Sequence, residues 1–335
     1  MSVHKPDKPA VADYPTSTAH QAELEAAKAF FLKELESPES EWEDQGERED
    51  VHLWSKKDPE VRDPYAVPTV KGETLVKNAN SEAFLGGVVQ LPGMRKLWDE
   101  RFETGHMLAR YDRTSFAFYT VMKGMGWLVY PRDIVGIQKN YHPEDGSEKG
   151  ERMIVQTTIE EKQWAPEQKG KTRATLTVSG WRFTPVGDDL KVTYIVKIAL
   201  NGSMPIAMVS MVATETPLCT GRARDVYYQY GHAPYIRLPS GTSSTSIIFQ
   251  TEYFSDPPAK PETDDHVREY RCVLTTGSQV GDGFELVYDA KRMYSGGVNV
   301  RVEGEGVECE DDGKGVVRVK TTASGKDATV VIMPK

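Results

Sequence analysis

The histidines are the side chains from which catalysis would first be expected, because imidazole can transfer a proton or bind a metal ion. The chain has seven of them, and their spacing forms neither an HExxH motif nor a catalytic triad. The best local group is His142 with Glu144 and Asp145, in a turn rich in proline and glycine. We interpret this group as a solvated loop, and we predict no metal ion, no cofactor and no catalysis.

Non-covalent burial of an apolar molecule is a second kind of chemistry, and side chains suited to it are concentrated in the middle of the sequence. Residues 172–183 and 192–200 alternate in the manner of two strands that each have one apolar face. The next segment has Met204, Met208 and Met211 at helical spacing. Such faces form either an ordinary core or the wall and lid of a ligand cavity, and spacing alone does not distinguish these.

Length, charge and cysteine content limit the classes of protein that fit. The 335 residues suffice for two domains, and the net charge of -9 argues against a nucleic-acid partner, which needs a basic face. Residues 1–15 are polar, and no segment approaches the roughly 18 apolar residues of a membrane span. Cys219, Cys272 and Cys309 have no pairing pattern, so we expect reduced thiols in a cytoplasmic protein.

Two predicted helices bracket a strand-rich centre. The first helix begins at Thr18 and ends near Ser37, and the last begins at Ser203 and is interrupted by Pro217. Between them the sequence predicts a short helix at 81–90 and strands at 42–47, 51–56, 69–76, 153–160, 172–183 and 192–200. This order of elements indicates an α+β fold.

The C-terminal part of the sequence predicts a separate, small all-β domain. Short strand patterns separated by Gly and Asp turns are typical of a β-sandwich, and they lie at 266–276, 284–288, 298–302, 316–320 and 330–333. We interpret the acidic segment 308–312 as a turn. The predicted division is therefore a flexible N-terminus at 1–17, a main lobe at 18–240, a linker region at 241–265 and a β domain at 266–335.

Two short motifs link the main lobe to a known family. They are Pro-Arg-Asp-Ile-Val at 131–135 and Ala-Pro-Glu-Gln-Lys-Gly-Lys-Thr-Arg-Ala at 165–174. With the Trp98-Asp99 pair upstream and the same order of elements, the sequence resembles the START family, particularly its steroidogenic acute regulatory branch, from about Ala19 to Tyr235. The resemblance implies a helix-grip fold, in which a curved antiparallel sheet and a C-terminal lid helix enclose one lipid.

The resemblance also implies which residues form the site. The expected cavity residues are Tyr119, Trp127, Gln138, Trp181, Phe183, Tyr194, Val196 and Ile198, with Met204, Met208 and Met211 on the lid. The expected gate loop contains Trp164, Ala165 and Pro166, and Arg132, Asp133 and Arg173 are expected to be structural, with Asp133 capping a helical turn. Where the sterol-carrying branch has an acidic residue and an arginine, this chain has Tyr119 and Gln138, a neutral pair that can hydrogen-bond a hydroxyl or carbonyl but cannot form an ion pair.

The function implied by the resemblance is passive carriage or sensing of a sterol, phospholipid or fatty-acyl lipid. The loop and lid helix would part at a membrane surface and close over the ligand, so the protein would be cytoplasmic and transiently peripheral at membranes. Two alternatives stay open. The β domain could bind a protein partner in a scaffold or lipid sensor, or the fold could be a helix-grip enzyme of the cyclase or hydrolase type.

Overall fold

The computed structural model describes residues 20–59, 61, 66–91, 93–124, 129–144, 147, 149–161, 165–202, 205–238, 247–255 and 268–335. The helices are α1 (Gln21–Glu36), α2 (Ser81–Ala83), α3 (Arg95–Trp98), α4 (Ile206–Glu215) and α5 (Cys219–Tyr230). A 3-10 turn, Glu39–Glu41, follows α1, and a π-helical turn, Phe84–Val89, continues α2. The expected cap at Thr18 and the expected N-terminal segment 1–17 lie outside the described residues.

A ten-stranded sheet forms the main lobe. Its strands are β1 (Glu43–Arg48), β2 (Val51–Lys56), β3 (Thr69–Val76), β4 (Phe102–Arg110), β5 (Ser115–Met122), β6 (Arg132–Tyr141), β7 (Arg152–Thr158), β8 (Thr172–Arg173), β9 (Thr175–Val186) and β10 (Asp189–Ala199). The order is β1-β2-β3-β10-β9-β7-β6-β5-β4, and only the short β8 pairs in parallel, with β6. The predicted antiparallel sheet and its β9–β10 hairpin are confirmed.

Helix α1 covers one face of this sheet, which we call the outer face. Ala27 and Phe31 of α1 pack against Val155, Val178 and Ile195 of β7, β9 and β10. The ring of Phe31 lies directly over the backbone of Gly180, where an added Cβ would be 2.2 Å from the ring. Glycine at 180 is therefore what permits α1 to approach the sheet this closely.

The opposite face, which we call the inner face, is covered by α3 and α5 and holds the larger core. Its apolar residues include Phe116, Phe118, Ile134, Ile154, Trp181, Phe183, Val192, Tyr194 and Val196. Pro217 separates α4 from α5, as the sequence predicts. The interruption leaves a two-part lid over the inner face, and the expected cap at Ser203 lies outside the described residues.

The C-terminal part of the chain is a sandwich of two four-stranded sheets. Its strands are β11 (Tyr235–Arg237), β12 (Ile248–Phe254), β13 (Tyr270–Thr275), β14 (Gly283–Val287), β15 (Val298–Gly304), β16 (Val307–Asp311), β17 (Val316–Thr321) and β18 (Asp327–Pro334). Strands β11 and β12 lie within the stretches that the sequence assigned to the main lobe and the linker region. The acidic segment was predicted to be a turn, which is wrong, because it forms edge strand β16, on which Glu308 and Glu310 are exposed.

The sandwich shares a buried core with the main lobe. One continuous cluster of buried apolar residues extends from Phe183 and Phe84 to Tyr270 and Phe284. Between β4 and β12, Arg110 and Glu252 form a buried ion pair, and Tyr270 donates a hydrogen bond of 2.5 Å to Glu252. The sandwich is therefore packed onto the main lobe through both apolar and charged contacts.

Candidate functional site

The antiparallel register brings several polar side chains together on the inner face. Gln138 of β6 lies opposite Gln156 of β7, and Gln156 lies opposite Ser179 of β9. Phe116 ends this row on one side and Val196 on the other. A polar row therefore crosses the middle of a face that is otherwise largely apolar.

These side chains form one continuous chain of hydrogen bonds, which we call the polar chain: Gln90, Asn140, Gln138, Gln156, Ser179 and Tyr194. Gln138 donates to Asn140 at 2.8 Å, and Gln156 donates to Gln138 at 2.6 Å. Ser179 donates to Gln156 at 2.9 Å and lies 3.3 Å from the Tyr194 hydroxyl, while Asn140 donates to Gln90. All six side chains are neutral, and burial raises the pKa of Tyr194, which keeps its hydroxyl protonated.

Aromatic rings connect the polar chain to the helices that cover it. Trp181 stacks on Tyr194 with ring centroids 4.0 Å apart and meets Trp98 of α3 edge-on at 5.7 Å. Farther along the same face, Phe84 packs between Phe183 and Tyr227 of α5. Five of the residues expected in the cavity are thus buried on the inner face: Gln138, Trp181, Phe183, Tyr194 and Val196. A sixth, Ile198, is partly buried and packs against the same cluster.

Tyr119 was expected in the cavity wall, and the structure contradicts this. It pairs with Val135 and packs with Leu24 of α1 on the outer face, whereas its neighbour Phe118 points to the inner face. Strand β5 is buried on both faces, so its sequence does not reveal which face each residue occupies. Tyr119 therefore does not lie beside Gln138.

The expected methionine stripe on the lid is also displaced. The buried residues of α4 are Val209 and Val212, while Met208 is half-buried and Met211 is 39% exposed. Val209 packs with Val129, near the start of β6. Two other expected residues, Met204 of the lid and Trp127 of the wall, lie outside the described residues.

The two motif segments are joined by a buried ion pair on the outer face. Arg173 donates to both carboxylate oxygens of Asp133 at 3.0 Å, and Tyr119 donates to the same carboxylate at 3.2 Å. Arg132 donates to three backbone carbonyls, those of Tyr130, Leu200 and Asn201. Asp133 thus caps no helical turn, because it lies inside strand β6 and pairs with Arg173.

The expected gate loop begins at this ion pair. The Ala165 carbonyl accepts a hydrogen bond of 3.1 Å from Arg173, and the Ala165 side chain is buried on the outer face. Pro166 is exposed, and Trp164 lies outside the described residues. The described beginning of this loop is therefore fixed to the sheet.

Charged residues beneath the junction of α4 and α5 were missed by sequence reasoning. Arg95 of α3 pairs with Asp99 at 3.0 Å; burial alone would lower the pKa of Arg95, but Asp99 raises it. Burial raises the pKa of Cys219, the first residue of α5, so its thiol stays protonated. The Trp98-Asp99 pair was the one signal in the sequence that could have drawn attention to this region.

The START domain family model matches residues 22–224, which include the whole ten-stranded sheet and the first half of α5. The chain belongs to the START domain family. No curated protein matches its sequence.

Among solved structures, human StAR-related lipid transfer protein 5 is 20% identical, with a TM-score of 0.53, over 63% of this chain and 99% of that one. Human STARD10 is 16% identical, with a TM-score of 0.49, over 60% of this chain and 79% of that one. A fragment of the STAR-related lipid transfer protein from Xanthomonas axonopodis is 20% identical, with a TM-score of 0.47, over 56% and 99%. The first of these supports the START fold of the main lobe.

START domains bind lipids in order to transfer or sense them, which establishes the general activity of this chain. Within the described residues, no helix is long and apolar enough to cross a membrane. The same part of the chain contains no group of three or more potential metal ligands. The candidate site is therefore the inner face with its polar chain, under α3, α4 and α5.

Proposed function

We propose that the inner face and the two-part lid enclose one lipid molecule, and that the polar chain binds the neutral polar group of that lipid. The observation that carries this proposal is the polar chain itself, six neutral side chains in a largely apolar interior. A buried polar group is costly unless it is hydrogen-bonded, and an all-apolar row would serve a simple core equally well.

The polar chain retains hydrogen-bonding capacity that a ligand could use. An amide side chain has two N–H groups. Three amides of the polar chain each donate one hydrogen bond to another of its members: Gln138, Asn140 and Gln156. A lipid hydroxyl or an ester or amide carbonyl could accept the remaining N–H groups. This chemistry fits a sterol, a phospholipid or a fatty-acyl lipid.

We further propose that α4 is the part of the lid that moves. Helix α5 is held at its C-terminal end by the sandwich, where Arg292 donates to the Tyr227 carbonyl at 2.7 Å and stacks on its ring. Helix α4 buries only Val209 and Val212. Opening at α4 would therefore expose little apolar surface and would leave the sandwich in place.

Exposed apolar side chains on α4 and next to it support transient contact with a membrane surface. Ile206 is 55% exposed and Met211 39%, and Tyr130, next to the Val129 that packs on α4, is 64% exposed. At a membrane these side chains would enter the interface while α4 opens. A cytoplasmic protein could then take up a lipid, and burial would contribute roughly 25 cal/mol per Å² of apolar surface.

The shared core bears on the alternative of a partner-binding tail. Because the sandwich holds α5 and contacts β4, we propose that it supports the lipid site rather than acting as an independent scaffold. A protein partner on its outer surface stays a prediction. No observation in the described part of the chain favours the helix-grip enzyme.

Native mass spectrometry of the purified protein, followed by lipid extraction, tests the proposal directly. We expect one bound lipid per chain. Gln138→Leu keeps the volume of the side chain and removes its hydrogen bonds, so lipid affinity should fall by roughly 2- to 12-fold. Gln45→Leu, the same change on the exposed strand β1, is the matched control and should have no effect. A protein that takes up no lipid from mixed vesicles would refute the proposal.

A further inference from the structure

Arg101 has a half-buried side chain whose guanidinium forms no ion pair within the described residues. It lies between α3 and β4, where its carbonyl accepts a hydrogen bond from the Lys123 N–H at 2.7 Å and its N–H donates to Asp99 at 3.2 Å. Its side-chain Nε and Nη1 are buried, and neither has a hydrogen-bond partner in the described part of the chain. Burial lowers the pKa of Arg101, but a guanidinium remains charged at neutral pH.

The carboxylates nearest to Arg101 are already committed to other cations. Asp99 pairs with Arg95 at 3.0 Å, and Glu215 at the end of α4 pairs with Arg222 and, at 3.3 Å, with Arg48. These two carboxylates act on Arg101 only from a distance. Within the described residues, the guanidinium of Arg101 therefore has no carboxylate of its own beneath the junction of α4 and α5.

The surroundings of Arg101 add positive charge rather than removing it. Burial lowers the pKa of Arg132, and the positive charge of the nearby Arg101 lowers it further. The guanidinium of Arg132 is occupied by three backbone carbonyls, which carry no formal charge. A partly buried cation that lacks a carboxylate of its own is costly, so an anion bound here would be stabilised.

The position of Arg101 makes an amphiphile a better ligand than a free ion. The next residue, Phe102, belongs to the apolar core of the inner face and pairs with Met122 of β5. Two residues before Met122, the Thr120 hydroxyl is also buried and has no partner within the described residues. A cation and a hydroxyl that have atoms without hydrogen-bond partners in the described part of the chain therefore adjoin the apolar surface on which the lipid chains would lie.

We propose that Arg101 binds the anionic group of the bound lipid, a phosphate or a carboxylate, beneath the junction of α4 and α5. This proposal rests on the lipid-binding function above and specifies its ligand as an acidic lipid. The anionic group forms charge-assisted hydrogen bonds with Nε and Nη1, and α4 and α5 close over it. The polar chain, deeper on the inner face, binds a carbonyl or hydroxyl of the same molecule.

Lipid uptake from vesicles of defined composition tests this assignment. The wild type and Arg101→Met are incubated with phosphatidylcholine vesicles that contain phosphatidic acid, oleate or neutral diacylglycerol, and the lipids bound to the re-isolated protein are counted by native mass spectrometry. We expect the wild type to prefer phosphatidic acid or oleate. Arg101→Met should lose about 10- to 100-fold in affinity for the acidic lipids and keep its uptake of diacylglycerol.

Thermal melting of the lipid-free protein supplies a second readout. Removal of a partly buried charge that has no ion-pair partner should raise the melting temperature of Arg101→Met, whereas loss of a structural arginine would lower it. Arg301→Met, at an exposed position of β15 that pairs with Glu303, is the matched control and should change neither readout.

The outcomes separate the two proposals. If the wild type takes up acidic and neutral lipids equally and Arg101→Met changes neither, the assignment of Arg101 is overturned and the lipid-binding function stands. If no lipid of any class is bound, both fail. If inorganic phosphate alone raises the melting temperature as much as phosphatidic acid does, the site binds a free anion and the lipid assignment is overturned.

Discussion

The buried ion pair between the main lobe and the sandwich leads to a quantitative prediction. Arg110 and Glu252 are 3% and 2% exposed, and Glu252 also accepts the hydrogen bond from Tyr270. Glu252→Leu leaves the guanidinium of Arg110 buried beside the ring of Phe116 with a single carbonyl partner, that of Arg113. Breaking a buried pair in this way costs about 3–5 kcal/mol, a large fraction of the roughly 5–15 kcal/mol that stabilises a typical fold.

A double-mutant cycle isolates this energy. The cycle is measured in a Tyr270→Phe background, which removes the hydroxyl that would otherwise lose its acceptor. In this background Glu252→Leu should be strongly destabilising. The double variant Arg110→Met with Glu252→Leu should be much less destabilising. Replacing both partners of a buried pair by apolar groups is often close to neutral. The coupling between the two positions should therefore be about 2–4 kcal/mol.

Urea unfolding with two probes is the assay. All six tryptophans precede residue 200, so their fluorescence reports on the main lobe alone, whereas thiol labelling of the fully buried Cys272 reports on strand β13 of the sandwich. We expect the two transitions to coincide in the wild type and to shift together in Glu252→Leu. Labelling of Cys272 at urea concentrations that leave the fluorescence unchanged, or a cost below about 1 kcal/mol for Glu252→Leu, would refute the reasoning.

Three further predictions follow from single contacts. Asp133→Asn should cost roughly 3 kcal/mol in urea unfolding, because it removes the charge that Arg173 binds; a neutral result would mean that the motif segments are held by their backbones alone. Val209→Glu should abolish lipid retention, while Met211→Glu, on the exposed side of α4, should mainly slow exchange with vesicles; equal effects would contradict the assigned lid face. Burial lowers the pKa of His232, so below about pH 6.5 the unfolded chain takes up a proton that the folded protein does not, and stability should fall as the pH drops. In melting experiments at several pH values, His232→Gln should reduce this dependence.

Part of the secondary structure of the main lobe was predictable from local signals, whereas strands β4, β5 and β6 were not assigned from the sequence. The β9–β10 hairpin alternates and turns at Gly187, whose φ of 64° suits glycine, and Pro217 marks the break in the lid. The motif at 165–174 pointed to the family through residues that support the sheet. Arg173 of that motif holds Asp133 of the other, which explains how two separated segments can identify one fold.

The site was harder to predict because its residues acquire their neighbours through register. Tyr119 and Phe118 are adjacent and both buried, and only the pairing of the strands determines which of them points to the inner face. The bonds from Gln156 to Gln138 and from Ser179 to Gln156 likewise join strands that no local pattern connects. A polar residue inside a strand suggests a solvent-exposed position in sequence, whereas the register brings these residues together in the interior. Any variant that shifts β7 by one residue would therefore exchange the polar chain for the outer-face core and abolish lipid binding, even with every side chain retained.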